Sequence, residues 1–268
     1  MLVENNMKKY LMQYRRMLKL GFMNEMNHRG NFITWIFVHS ASFVSMIIFF
    51  KIIYLGTTNI NGWTQYQALL VLGVANLIAG IGSLTFFPFM YNFGRDIQDG
   101  TLDMKLLKPL DVLFQSAFCW VDVEDMIIAP NAILLIAYSL WKLAPTNLFI
   151  NFLAFIILLF SSLILMFSLL ILIQSLALKL IRVDSVAQFF WSIVNNNKYP
   201  AKAIKNVSTL GLILLIPAAV ISSVPAEVLF GRYDWPWIIG SLVSSTILFI
   251  FSRWVFYQNL KSYSSASS

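Results

Sequence analysis

The chain has 268 residues, 59% of them apolar and 12% charged, with a mean hydropathy of +0.74. Soluble domains carry roughly 25% charged residues, so this composition excludes a soluble fold and marks an integral membrane protein. The net charge of +7 calls for no nucleic-acid partner, because basic residues beside a membrane are drawn to anionic inner-leaflet lipid.

Residues 1–29 hold Lys8, Lys9, Arg15, Arg16, Lys19 and Arg29 with no apolar stretch among them, so they are not a cleavable signal and are expected to stay on the protein as a cytoplasmic interfacial element. Within them Met7, Tyr10, Leu11, Tyr14, Met17 and Leu18 recur at spacings of three and four. That pattern predicts a helix over 7–26 lying along the inner leaflet. Residues 30–55 form the first predicted span. The polar stretch TTNINGWTQ follows, and a second span is predicted over 66–91. The segment 94–111 is charged. A shorter apolar stretch over 126–141 is the third span, and 147–180 is the fourth, at about 50 Å long for 1.5 Å per residue and therefore longer than a bilayer of about 30 Å. Residues 184–206 form a cytoplasmic amphipathic segment, with Val186, Phe189, Phe190, Ile193 and Val194 on one face. The fifth span, over 207–230, contains Pro217 and Pro225, which remove backbone donors and predict a break and a re-entrant segment on the outer side. Glu227 is expected to be exposed there. The sixth span is 235–254. The unbroken apolar runs do not alternate as barrel strands do, so the predicted fold is an all-α polytopic membrane protein of six spans in one domain, 1–268.

Sixteen of the nineteen Lys and Arg residues fall on the side that holds both termini, the 94–111 segment and the 184–206 segment; Lys51, Lys142 and Arg232 fall on the other. The positive-inside rule then places both termini in the cytoplasm.

The stretch GRDIQDGTLDMKLLKPLDVLFQ, residues 94–115, is the densest in charge: Arg95, Asp96, Asp99, Asp103, Lys105, Lys108 and Asp111. Each would cost roughly 2.5 to 3.5 kcal/mol at the bilayer centre on insertion scales, so the stretch faces water or another protein. It also carries Ile97, Leu102, Met104, Leu106, Leu107 and Leu110. Gly100 separates two short helical pieces and Pro109 ends the second, which describes a docking surface or an interfacial loop. His39 and Asn76 are the ionisable and amide candidates for a path through the membrane, with a satisfied histidine and a helix-to-helix amide bond as the plainer readings. Asp122, Glu124 and Asp125 would form a proton or cation site if the third span began near Val112; the apolar stretch 126–141 and Pro130 in its early turns instead put them at the cytoplasmic mouth. Ala75, Ala79 and Ser83 suit helix packing. The single cysteine, Cys119, has no disulfide or metal partner. His28 and His39 are the only histidines and neither sits in a metalloprotease motif. A self-contained secondary transporter or channel is the rival to a multi-subunit transporter.

The pattern Gly100, Leu102, Asp103, Leu107, Lys108-Pro109-Leu110 resembles the cytoplasmic motif of bacterial ABC transporter permeases of the type-2 exporter class with the type V fold. Tyr199-Pro200, Ile216-Pro217, Val224-Pro225-Ala226 and the tail Lys261-Ser262-Tyr263-Ser264-Ser265-Ala266 resemble the same family in the same order. Lys108 departs from the arginine common in that family. The resemblance implies an exporter permease of the bacterial cell membrane that pairs with a second permease subunit, the same chain or a related one, and with cytoplasmic ABC ATPase subunits. Residues 7–26 would be the connecting helix. The ATPase-coupling residues would be Arg95, Asp96, Ile97, Asp99, Gly100, Thr101, Leu102, Asp103, Lys105, Leu107, Lys108 and Pro109. No cofactor is expected on this chain, since none of its twelve glycines lies in a G-x-x-x-x-G-K-[ST] loop; ATP and Mg would be bound by the partner ATPase.

Overall fold

The computed structural model describes residues 2–27, 29–118, 120–178, 198 and 217–263. Helix α1 (Leu2–Asn27) precedes α2 (Arg29–Ile53), the first apolar span. A short antiparallel hairpin of β1 (Asn59–Ile60) and β2 (Trp63–Thr64) turns at Asn61-Gly62. Thr64 then starts α3 (Gln65–Thr85) with a capping box, its Oγ1 accepting from the Gln67 N–H while Gln67 Oε1 accepts from the Thr64 N–H.

The second span does not end where its apolar character does. After α3 the chain bends at Phe86 and Phe87 and continues as α4 (Pro88–Gln98) and α5 (Thr101–Leu106). Helix α6 (Val112–Phe118), absent from the sequence-based expectation, and a 3-10 turn (Val123–Ile127) lead into α7 (Ile128–Leu143), the third span. Then come α8 (Leu148–Ala177), α9 (Pro217–Leu229) and α10 (Trp235–Lys261). Five stretches among the described residues are long and apolar enough to cross a membrane: Arg29–Ile53, Gln65–Gln98, Asp125–Leu143, Leu148–Leu176 and Trp235–Lys261. The expected fifth span is described only as the 13 residues of α9. The amphipathic segment 184–206 and Tyr199-Pro200 lie outside the described residues, Lys198 apart.

Helix α3 forms the centre, packed on α7 along one side and on α9 along another, while α8 packs against α9 and α10. The α3–α7 contact is close because Gly80 has no side chain: a Cβ there would stand 2.8 Å from the Ala129 nitrogen. Small residues let helices approach in lipid, where apolar side chains gain little by leaving it. Serines and amides tie the remaining helices. Ser161 Oγ lies 2.9 Å from Ser245 Oγ, and Asn259 Nδ2 donates to the Ser175 carbonyl at 3.0 Å. Helix α2 stands at the edge, with Phe50 its one buried residue.

Two expectations for the segment around Pro225 need correction. Helix α9 runs through Pro225 without a break; the residues before Pro217 lie outside the described ones. The missing proline N–H leaves the Ile221 carbonyl without its helical donor, and Ser162 Oγ from α8 donates to it at 2.7 Å. Lipid cannot supply that bond, so a neighbouring helix does. Glu227, expected at the outer surface, is 2% exposed. It falls one helical repeat beyond Val220 and Val224, on the face that α9 turns inward.

Candidate functional site

The charged segment is a folded unit. Gly100 sits at φ +70° between α4 and α5, the left-handed region that glycine adopts without strain. This turn brings Asp96 to Lys105, which form an ion pair, and Thr101 Oγ1 donates to Asp96 Oδ1 at 2.9 Å. Two of the seven charges are thus spent inside the segment. A third, Asp111, holds three elements together. Its Oδ1 accepts from the Phe114 N–H at 2.9 Å and caps α6. Its Oδ2 accepts from the Tyr257 hydroxyl and from Arg253 at 3.4 Å, both on α10. Its own N–H donates to the Tyr10 hydroxyl of α1 at 3.3 Å.

The face of α1 that carries Tyr10 and Tyr14 therefore lies against protein. Tyr10 meets the Phe114 ring edge-on at 4.6 Å and Tyr14 meets Phe118 at 6.4 Å. Beneath the segment Phe89, Phe93 and Phe256 form a buried aromatic cluster with ring centres 4.9 to 6.4 Å apart. Gln174 on α8, fully buried, donates to the carbonyls of Phe89 and Met90 at 3.2 and 2.6 Å and so grips the start of α4.

Arg95, Asp99, Lys108 and Pro109 are exposed, as are Met104, Leu106 and Leu107, the last at 82%. Ile97, Asp103 and Lys105 are half-buried. Leu102, placed with the docking residues on sequence, is fully buried among the aromatic cluster. Its position one residue into a six-residue helix points it at the core and Leu107 away from it, a distinction too short for periodicity to reveal.

His39 and Asn76 come together. They line a cavity of about 220 Å³ between α2, α3 and the start of the third span, with Ser83, Asp125, Asn131 and Lys198 also on its wall. His39 Nε2 lies 2.8 Å from Asp125 Oδ1, and Trp35 stacks on the imidazole at 5.5 Å. Asn76, expected to bond a neighbouring helix, instead donates to the Leu72 carbonyl of its own helix at 2.8 Å. Ala79 and Ser83, expected to pack helices, leave the space that forms the cavity wall; Gly73 and Gly80 make the close contact with α7. Burial of Lys198 lowers its pKa below the usual lysine value. Among the described residues no group of three His, Cys, Asp or Glu side chains converges on a metal-sized site.

A family model described as ABC-2 family transporter protein matches residues 41–267. No curated protein and no solved structure matches the chain. The match takes in the described helices from the second half of α2 to α10, together with the charged segment and the cavity wall apart from His39, and the chain belongs to the ABC-2 family of transporter proteins.

Proposed function

We propose that this chain is the permease subunit of an ATP-driven exporter in a bacterial cell membrane, paired with a second permease subunit and driven by separate cytoplasmic ATPase subunits through the segment 94–111. The exposed face of that segment supports the reading most directly. Charges that a free loop would leave to solvent are divided here: Asp96, Lys105 and Asp111 build the fold, while Arg95, Asp99 and Lys108 stay outside beside exposed Met104 and Leu107. An apolar patch ringed by charges on a rigid support is what a partner can grip. Family membership points to the same kind of partner.

The test is to purify the complex from native membranes carrying Met104→Asp with Leu107→Asp, and separately Arg95→Glu with Asp99→Lys. Expression at the parent level with at least a tenfold loss of ATPase copurification, about 1.4 kcal/mol, is expected, and native mass spectrometry of the parent complex should give two permease chains with two ATPases. Retention of the ATPase by both variants would refute the docking role. A secondary transporter would draw on the His39–Asp125 pair; an intact complex without any ATPase would favour it.

A further inference from the structure

The segment assigned to receive the motor's movement hangs between two prolines. Pro88 opens α4, and Pro109 follows α5. At each the carbonyl four residues earlier, Leu84 and Lys105, loses the helical donor that a proline cannot provide. Such a joint is where a helix kinks. Both carbonyls are nevertheless taken by side chains from other elements. The Tyr14 hydroxyl of α1 donates to the Leu84 carbonyl at 3.2 Å. Gln115 of α6, 1% exposed, donates from Nε2 to the Lys105 carbonyl at 3.2 Å and to the Leu110 carbonyl at 2.9 Å; the Lys108 N–H also reaches the Lys105 carbonyl, at 3.3 Å. Burial raises the pKa of Tyr14 above the usual tyrosine value, so its hydroxyl remains a donor at any physiological pH.

We infer, resting on the coupling role proposed above, that Tyr14 and Gln115 are positioning residues that lock the two proline joints, so that a push on α4 and α5 is carried into the spans instead of being lost by bending at the segment's ends. Without Tyr14 the Leu84 carbonyl has only water or a shifted backbone to satisfy it, and without Gln115 the Lys105 carbonyl keeps only the 3.3 Å bond from the Lys108 N–H while the tie from α6 to both ends of the Pro109 turn is lost, so the segment gains arrangements in which α5 moves while α3 and α6 stay still. Tyr14 contributes one hydrogen bond and Gln115 two, enough to bias a joint and too little to hold up the fold. The structure carries its own control. Ser162 caps another proline-vacated carbonyl, Ile221, at 2.7 Å, by the same chemistry, but on α9 and not on the coupling segment.

The first measurement needs no ATPase. In a Cys119→Ser background, spin labels at Met104 on α5 and Phe160 on α8, both largely exposed, report the distance between segment and span in the purified chain in lipid nanodiscs. The parent should give one narrow distribution. Tyr14→Phe with Gln115→Met should broaden it, each lost cap raising the displaced arrangement roughly fivefold, while Ser162→Ala should lower the thermal midpoint and leave the distribution as it was. A double variant as narrow as the parent overturns the inference, and so does equal broadening by Ser162→Ala, which would show general loosening. In the complex, ATP with vanadate should shift a second pair, Phe160 and Ile250, in the parent and leave it unmoved in the double variant, with ATPase copurification unchanged. A shift of parental size in the double variant overturns transmission through the joints. Failure of the coupling role itself would show separately, as ATPase retention by both the Met104 with Leu107 and the Arg95 with Asp99 variants.

Discussion

Leu102 and Leu107 show how far a side chain's role departs from its type. Both are leucines in one charged segment, yet the first is fully buried in the core cluster that holds Phe93 and Phe256 while the second is 82% exposed. Leu102→Ala should cost about 2 to 5 kcal/mol through the cavity it leaves, and Leu107→Ala no more than about 0.5 kcal/mol. Thermal midpoints of the two variants in one detergent check this; equal midpoints would place both side chains at the surface. Which of the two faced inward was not legible in the sequence, because a six-residue helix spans fewer than two turns. The Gly100 turn and the stop before Pro109 were legible, since backbone chemistry alone dictates them. The pairing of His39 with Asp125 lay hidden for a different reason. His39 was readable as a satisfied histidine and Asp125 as a residue at the mouth of the third span, but 86 positions separate them and only the packing of α2 on the 3-10 turn joins them.

At the scale of elements, apolar runs give the helices α2, α7 and α8 to within a few residues and the start of α10, which continues seven residues past the expected end at 254 to Lys261, because about 20 residues must be apolar to cross the bilayer core while a helix is free to run on beyond it. Prolines misled at one position. Pro225 predicts a break on sequence, and α9 accommodates it because Ser162 on a sequence-distant helix supplies the lost hydrogen bond. The compensation makes a double-mutant cycle informative. Pro225→Ala restores an N–H aimed at the Ile221 carbonyl, so Ser162→Ala should cost about 1 kcal/mol in the parent and close to nothing in the Pro225→Ala background. Unfolding measurements on the four chains in one detergent give the coupling. An equal cost in both backgrounds would mean that Ser162 contributes by packing and not by that bond. Helix α6 escaped notice because its seven residues fall between a charged segment and a span, and its start is set by Asp111, whose carboxylate also reaches α10.

For the whole molecule, the lengths of the helices limit how the chain can sit in a bilayer. Helices α2, α8 and α10 have 25, 30 and 27 residues, about 37 to 45 Å at 1.5 Å per residue, against a hydrocarbon core of about 30 Å. Each must project at one end or tilt. Projection at the end that holds α1 and the charged segment is consistent with α10 carrying Arg253 and Tyr257 down to Asp111, since an ion pair and a carboxylate at bilayer depth would cost several kcal/mol. The other end holds the Asn61-Gly62 hairpin, where Arg232 lies 5.4 Å over the Trp63 ring. If the basic side is the cytoplasm, the two ends differ in access. Single cysteines at Thr58 and Asn147, both exposed, in a Cys119→Ser background should react with a membrane-impermeant thiol reagent in intact cells. Cysteines at Met104 and Ser264 should react only in inverted vesicles or opened cells. Reaction of Met104→Cys in intact cells would put the charged segment outside, where no ATP-driven partner could reach it, and would defeat the topology and the coupling role together. Reaction of Ser264→Cys alone would leave the segment inside and require the chain to cross the membrane an odd number of times after it, so the undescribed stretch before Pro217 could not complete a sixth span.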